Sequence, residues 1–100
     1  MITTRTIPEL SRLLRFLGNE QRLRILKSIS EEEKYAREIS EELSISRALV
    51  NIYLKQLEKK GLVTGITRVT EEPTLMRRYY RAVPFELVVN LDDIQNKDEV

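Results

Sequence analysis

The chain is predicted to be mainly α with a β-hairpin, an α+β arrangement of about four helices followed by a two- or three-stranded antiparallel sheet. Three observations predict it. Apolar residues recur at three- and four-residue spacing through four segments that end near residue 60. Beyond Gly61 that period gives way to two runs rich in β-branched residues, 62–70 and 75–83, with Glu71-Glu72-Pro73-Thr74 between them. The length of 100 residues fits one domain whose core is large enough to fold.

The first helix is expected from Pro8, a favourable first-turn residue, with Ile7, Leu10, Leu13, Leu14 and Leu17 at helical spacing. Gly18 ends it, and Asn19 can cap the next helix through its side-chain oxygen. That second helix, about 20–30, carries Leu23, Ile25, Leu26 and Ile29 between arginines. Glu31-Glu32-Glu33-Lys34 is too charged for a core and reads as a solvated connection. A short third helix, about 36–43, turns Ala36, Ile39 and Leu43 inward and Glu38, Glu41 and Glu42 outward. Ser44-Ile45-Ser46 makes a tight polar turn, and Ser46 caps a fourth helix over about 47–60. Leu49, Val50, Tyr53, Leu54 and Leu57 form its apolar side, and Lys59-Lys60-Gly61 closes it with cations and then glycine. The β-hairpin follows, Pro84 interrupts it, and Phe85–Leu91 is apolar enough for a further short strand. Residues 1–91 are thus expected to form the domain and residues 92–100 an acidic, flexible tail.

Composition removes several function classes. With neither cysteine nor histidine there is no disulfide framework, no zinc finger, no thiolate or imidazole metal site and no histidine-based triad. No paired-carboxylate site, glycine-rich phosphate loop or activated nucleophile is visible, so no enzyme and no cofactor are expected. The segment Met1-Ile2-Thr3-Thr4-Arg5 is unlike a signal peptide, and a cytoplasmic location is the expectation. The net charge of +1 is uninformative, but its distribution is not. Residues 44–83 hold eight Lys/Arg against three acids, whereas residues 31–43 hold six acids against two bases. Such blocks suggest distinct charged faces.

A short helix and a longer helix joined by a tight turn is the helix-turn-helix arrangement, and a hairpin directly after it is a wing. Its physical demand is that Ile39, Leu43, Ile45, Val50 and Leu54 pack together and hold the second helix proud of the body. Its first turns can then enter a DNA major groove about 12 Å wide. Arg47, Ala48, Asn51, Ile52 and Lys55 are left on the opposite face. Asn pairs with adenine, Arg with guanine, and Ala or Ile touches the thymine methyl, while Ser46 and Lys55 suit phosphates. On the hairpin, Arg68, Arg77, Arg78 and Arg81 suit phosphates or a narrow minor groove. The DNA-binding set is therefore Ser46, Arg47, Ala48, Asn51, Ile52, Lys55, Arg68 and Arg77.

Three blocks resemble a known family. Leu14 through Leu26, with Asn19-Glu20-Gln21-Arg22-Leu23-Arg24-Ile25-Leu26, is similar to the opening of the arsenic-repressor (ArsR) winged-helix regulators. Ile39 through Ser46 resembles a second block of that family, and Leu49 through Val63, ending Gly61-Leu62-Val63, a third. The likeness spans about residues 10–83. It implies a homodimer on palindromic operators, with Arg47, Ala48, Leu49, Asn51 and Ile52 facing DNA. Two features depart from the family pattern: Ile52-Tyr53 stand where Arg-His is usual, and the wing tip Glu71-Glu72-Pro73 is acidic where a basic tip is expected.

Ile7, Leu10, Leu14 and Leu17 offer a helix–helix seam, read as the dimer interface. The expectation is a sequence-specific double-stranded DNA-binding regulator, a repressor acting as a homodimer. An unidentified small-molecule effector or the transcription machinery would be further partners, and no membrane is involved. The alternative from another class is a winged-helix protein–protein interaction module in a transcription complex, which the acidic tip and near-neutral charge would suit.

Overall fold

The computed structural model describes residues 2–71 and 75–100. The elements are α1 (Ile7–Leu17), α2 (Glu20–Ser28), β1 (Lys34–Tyr35), α3 (Ala36–Leu43), α4 (Arg47–Lys59), β2 (Val63–Val69), β3 (Met76–Ala82) and α5 (Leu91–Gln95). They divide into two compact units: Glu20–Pro84 forms one, and the N-terminal residues to Asn19 with Phe85–Val100 form the other.

The larger unit is a winged helix-turn-helix. Ile25, Leu26 and Ile29 come from α2 and its end, Ile39 from α3, and Ile45 from the turn; all are buried. Val50, Leu54 and Leu57 from α4 join them, with Leu62 and Val63 at the root of the hairpin. Each such side chain contributes on the order of 1.5–3 kcal/mol of transfer free energy. Four of the five residues expected to brace the helix-turn-helix are in this core, and Leu43 is half-buried.

The turn between α3 and α4 is tied by one residue. The Ser40 carbonyl accepts the amides of Ser44 and Ile45, and the Ser40 hydroxyl donates to the Ile45 carbonyl at 2.6 Å. Ser44 meets this by adopting a left-handed conformation, φ 54°. Helix α4 then starts at Ser46, whose Oγ accepts the Leu49 amide at 3.2 Å. It ends in a double closure: the Gly61 amide donates to the Glu58 carbonyl at 3.0 Å and the Leu62 amide to the Leu57 carbonyl at 3.0 Å. This needs the positive φ of 77° that Gly61 supplies.

The sheet has the order β1-β3-β2 and is antiparallel throughout. The hairpin register pairs Val63 with Ala82 at the root and Val69 with Met76 toward the tip. Strand β1 was not expected, because Glu31–Lys34 reads as a solvated connection. Its last residue, Lys34, instead pairs with Tyr80, and Tyr35 pairs with Tyr79. Lys34 reconciles its charge with partial burial by donating to Glu42 at 2.6 Å and Ser28 Oγ at 3.3 Å. The strand expected at Phe85–Leu91 does not form: the chain is irregular up to Asn90, and α5 begins at Leu91. The acidic tip expected at Glu71-Glu72-Pro73 lies, for Glu72 and Pro73, outside the described residues.

In the smaller unit, α1 is capped by Thr6, whose Oγ1 accepts the Glu9 amide at 3.1 Å, while Glu9 accepts the Arg5 amide at 2.9 Å. The C-terminal stretch differs from a free acidic tail. Asn90 caps the short helix α5 by accepting the Asp93 amide at 2.8 Å. Asp98 then bridges Thr6, taking the Ile7 amide at 2.8 Å and giving its own to Arg5 at 3.0 Å. Lys97 offsets the local acids by binding Asp93 and the Thr4 carbonyl. Among the described residues no helix is long and apolar enough to cross a membrane.

Candidate nucleic-acid interface

Helix α4 presents three sides, and each has a different use. Val50, Leu54 and Leu57 point into the core. A second side is bonded to α2. Arg22 donates to Gln56 Oε1 from Nη2 at 2.9 Å and from Nε at 3.3 Å, and its guanidinium lies 5.3 Å from the centre of the Tyr53 ring. The Tyr53 hydroxyl donates to Gln21 Oε1 at 2.8 Å. Tyr53, read from the sequence as a core position, is thus a half-buried polar anchor.

The third side is open. Arg47, Ala48, Asn51, Ile52 and Lys55 are all exposed. The side chains of Arg47, Asn51 and Lys55 have no hydrogen bond or ion pair with any described residue. Ile52 is 50% exposed, an apolar group available to a methyl-bearing base edge. Ser46 is exposed at the start of this side; its oxygen is engaged as the cap, but its hydrogen remains to be donated.

The wing arginines are sorted by what already holds them. Arg68 places Nη2 2.9 Å and 3.0 Å from the two Glu33 carboxylate oxygens and lies 5.8 Å from the Tyr79 ring centre. Arg78 crosses the sheet to Glu58 on α4 at 2.7 Å, and that carboxylate pushes its pKa up. Gly65 makes this crossing feasible, because a Cβ there would come within 2.7 Å of Arg78 Nε. Arg77 is different: its guanidinium stacks 4.5 Å from the centre of the Tyr35 ring and no described carboxylate pairs with it. Arg81 is exposed.

Helix α4 and the hairpin border a shallow groove of about 200 Å³. Arg37, Arg47, Arg77 and Arg78 line it together with Asn51, Tyr35 and Tyr80, and none of the described residues lining it is an acid. Arg37 is paired with Glu41 at 3.0 Å and Arg78 with Glu58, so the positive potential that would attract a polyanion comes from Arg47 and Arg77. Three of the eight DNA-contact residues expected from sequence, Arg47, Asn51 and Arg77, line this groove; Ser46, Ala48, Ile52 and Lys55 are exposed outside its lining, and Arg68 is engaged by Glu33. Sequence reasoning missed Tyr35, Arg37 and Glu58; an aromatic directly after four charged residues was the available signal for Tyr35. Among the described residues no group of three or more potential metal-ligating side chains comes together.

Residues 19–64 match the family model described as bacterial regulatory protein, arsR family. Among solved structures, reduced HlyU from Vibrio cholerae N16961 is similar, with 28% identity over 83% of this chain and 75% of that one and a TM-score of 0.54. The transcriptional regulator HlyU from Vibrio vulnificus CMCP6 is similar at 27% identity, over 88% of this chain and 79% of that one, with a TM-score of 0.56. No curated protein sequence matches the chain.

Proposed function

We propose that this chain, whose residues 19–64 form a helix-turn-helix of the arsR family, is a repressor that binds a palindromic operator as a homodimer. The family match and the HlyU likeness support a DNA-binding transcriptional regulator. The observation that carries the finer reading is the open side of α4: Arg47 and Asn51 are exposed, with side chains that no described residue binds, beside a groove lined by no described acid. Arg47 and Asn51 supply the base discrimination, and Lys55, Ser46 and Arg77 hold phosphates. Two chains would place their α4 helices in successive major grooves, about 34–36 Å apart.

Pairing is assigned to the smaller unit. Leu14 on α1 is 43% exposed, and Ile7 and Leu17 are half-buried at helical spacing from it, whereas Leu10, at 5%, is already covered within the chain. Phe85, Val88, Val89 and Ile94 add exposed apolar surface in the same unit. Light scattering should give twice 11.8 kDa for the native chain and a monomer for Leu14→Glu. A dimeric Leu14→Glu protein would remove α1 from the interface.

Fluorescence anisotropy with palindromic duplexes tests the DNA reading. Affinity should fall steeply with salt, because several phosphates are neutralised together. Arg47→Ala should compress the preference between sequences by about 1–3 kcal/mol. An equal loss for every duplex would make Arg47 a phosphate clamp and end its assignment as a reader. The protein-interaction reading is favoured by the exposed Val69, Leu75 and Met76 on the wing. Absence of any mobility shift with bulk duplex DNA at low salt would select it.

A further inference from the structure

The geometry points to Tyr35 as a positioning residue: its ring holds Arg77 flat so that the guanidinium edge receives a backbone phosphate of DNA seated in the groove between α4 and the wing. The inference rests on the DNA-binding reading above.

Of the three hairpin arginines described with close partners, two are already neutralised. Arg68 has Glu33 and Arg78 has Glu58, so either would have to give up a carboxylate to bind a phosphate. Arg77 has an aromatic face instead, 4.5 Å from guanidinium carbon to ring centre. A guanidinium held over a ring loses rotational freedom, yet no described residue accepts from the Arg77 N–H groups, and in a stacked arrangement they stay available at its edge. The ring is itself fixed. Tyr35 is held by its backbone pairing with Tyr79, and the two rings meet edge to face, with centres 5.6 Å apart and planes at 79°. Tyr79 in turn carries Arg68 on its other contact, so Arg77, Tyr35, Tyr79, Arg68 and Glu33 form one connected row across the sheet. Within it only Arg77 keeps an uncompensated charge, and it lines the groove opposite an equally uncompensated Arg47. A planar, preorganised fork suits a phosphodiester.

Tyr35→Phe keeps the aromatic face, and Tyr35→Leu keeps much of the volume without it. In anisotropy titrations Tyr35→Phe should bind duplex DNA as the native chain does. Tyr35→Leu should bind every duplex roughly three- to tenfold more weakly, with the slope of log affinity against log salt reduced by up to about one. Sequence preference should be unchanged, since a phosphate contact carries no base information. In an Arg77→Ala background the Tyr35→Leu change should have no further effect on affinity. Melting curves establish that each variant is folded. NMR reports the stack without DNA: the Arg77 δ-proton resonances should be shifted upfield by the ring in the native and Tyr35→Phe chains, and should return toward ordinary values in Tyr35→Leu. Equal binding by Phe and Leu variants, or a Tyr35→Leu loss that persists without Arg77, overturns the positioning role. Failure of the native chain to bind any duplex while the ring shift is present would instead overturn the DNA reading on which the role depends.

Discussion

The turn that sets the angle between α3 and α4 depends on Ser40, and removing its hydroxyl gives a sharp test of how the recognition helix is aimed. In Ser40→Ala the Ile45 carbonyl loses the donor now 2.6 Å away, while the two amide bonds to the Ser40 carbonyl remain. A hydrogen bond of this kind contributes about 0.5–1.5 kcal/mol net, and an acceptor left without a partner beside a buried Ile45 adds to that. Ser40 is half-buried, so water can compensate in part, and a loss of about 1–2 kcal/mol is expected. For a chain of this size that lowers the melting midpoint by roughly 4–15 °C, readable by far-ultraviolet circular dichroism. Ser40→Thr keeps the hydroxyl and should recover most of it. At a temperature well below both transitions, Ser40→Ala should also weaken DNA binding for all sequences alike, because the helix is less firmly aimed while its reading groups are intact. A midpoint within about 2 °C of the native chain would refute the reasoning, since the hydroxyl would then contribute nothing beyond what water supplies.

Gly61→Ala isolates a conformational cost, because a Cβ there meets nothing within 4 Å yet the backbone needs φ 77°. It should destabilise by about 1 kcal/mol in urea melts, and Gly61→Asn by less. The pair of Lys34 with Glu42 predicts an acid dependence. Hydrogen bonds from Lys34, and then Ser28, hold the Glu42 carboxyl below its ordinary value. A carboxyl depressed on folding stabilises the protein above the ordinary carboxylate range, and that contribution disappears as the pH falls through it toward the folded value. Glu42→Gln should therefore lower the melting midpoint at neutral pH and flatten its decline below about pH 5, by well under 1 kcal/mol because Glu42 is largely exposed. An unchanged acid limb would show that the pair contributes nothing.

The helical part of this fold is legible because its signals are local. Pro8 and Thr6 start one helix, Ser46 starts another, and Gly61 ends it, each through bonds to neighbours within a few positions. The open side of α4 follows from the helical period alone, which puts Arg47, Asn51 and Lys55 opposite Val50, Leu54 and Leu57. What the sequence hides is non-local. Two residues cannot display a strand period, so β1 exists only through Tyr79 and Tyr80 far along the chain. Phe85–Leu91 has the composition of a strand but stays irregular up to Asn90, since apolar composition alone supplies no strand partner. Similarly, Arg68 and Arg77 look equivalent as letters. The distant Glu33 and Tyr35 make one a closed ion pair and the other an open, stacked cation.

The bonds from α2 to α4 have a bearing on how such a protein can change its target. Arg22, Gln56, Tyr53 and Gln21 interlock on a side of the helix that shares no residue with Arg47, Ala48, Asn51 and Ile52. Aim and vocabulary are thereby written on separate letters. If Arg47, Ala48, Asn51 and Ile52 read the operator as proposed, each could be changed without breaking a bond between α2 and α4, whereas changing Arg22, Gln56, Tyr53 or Gln21 alone breaks one. Recoding experiments confined to the first group should yield folded proteins with altered sites, and grafts that carry over Tyr53 or Gln56 alone should not.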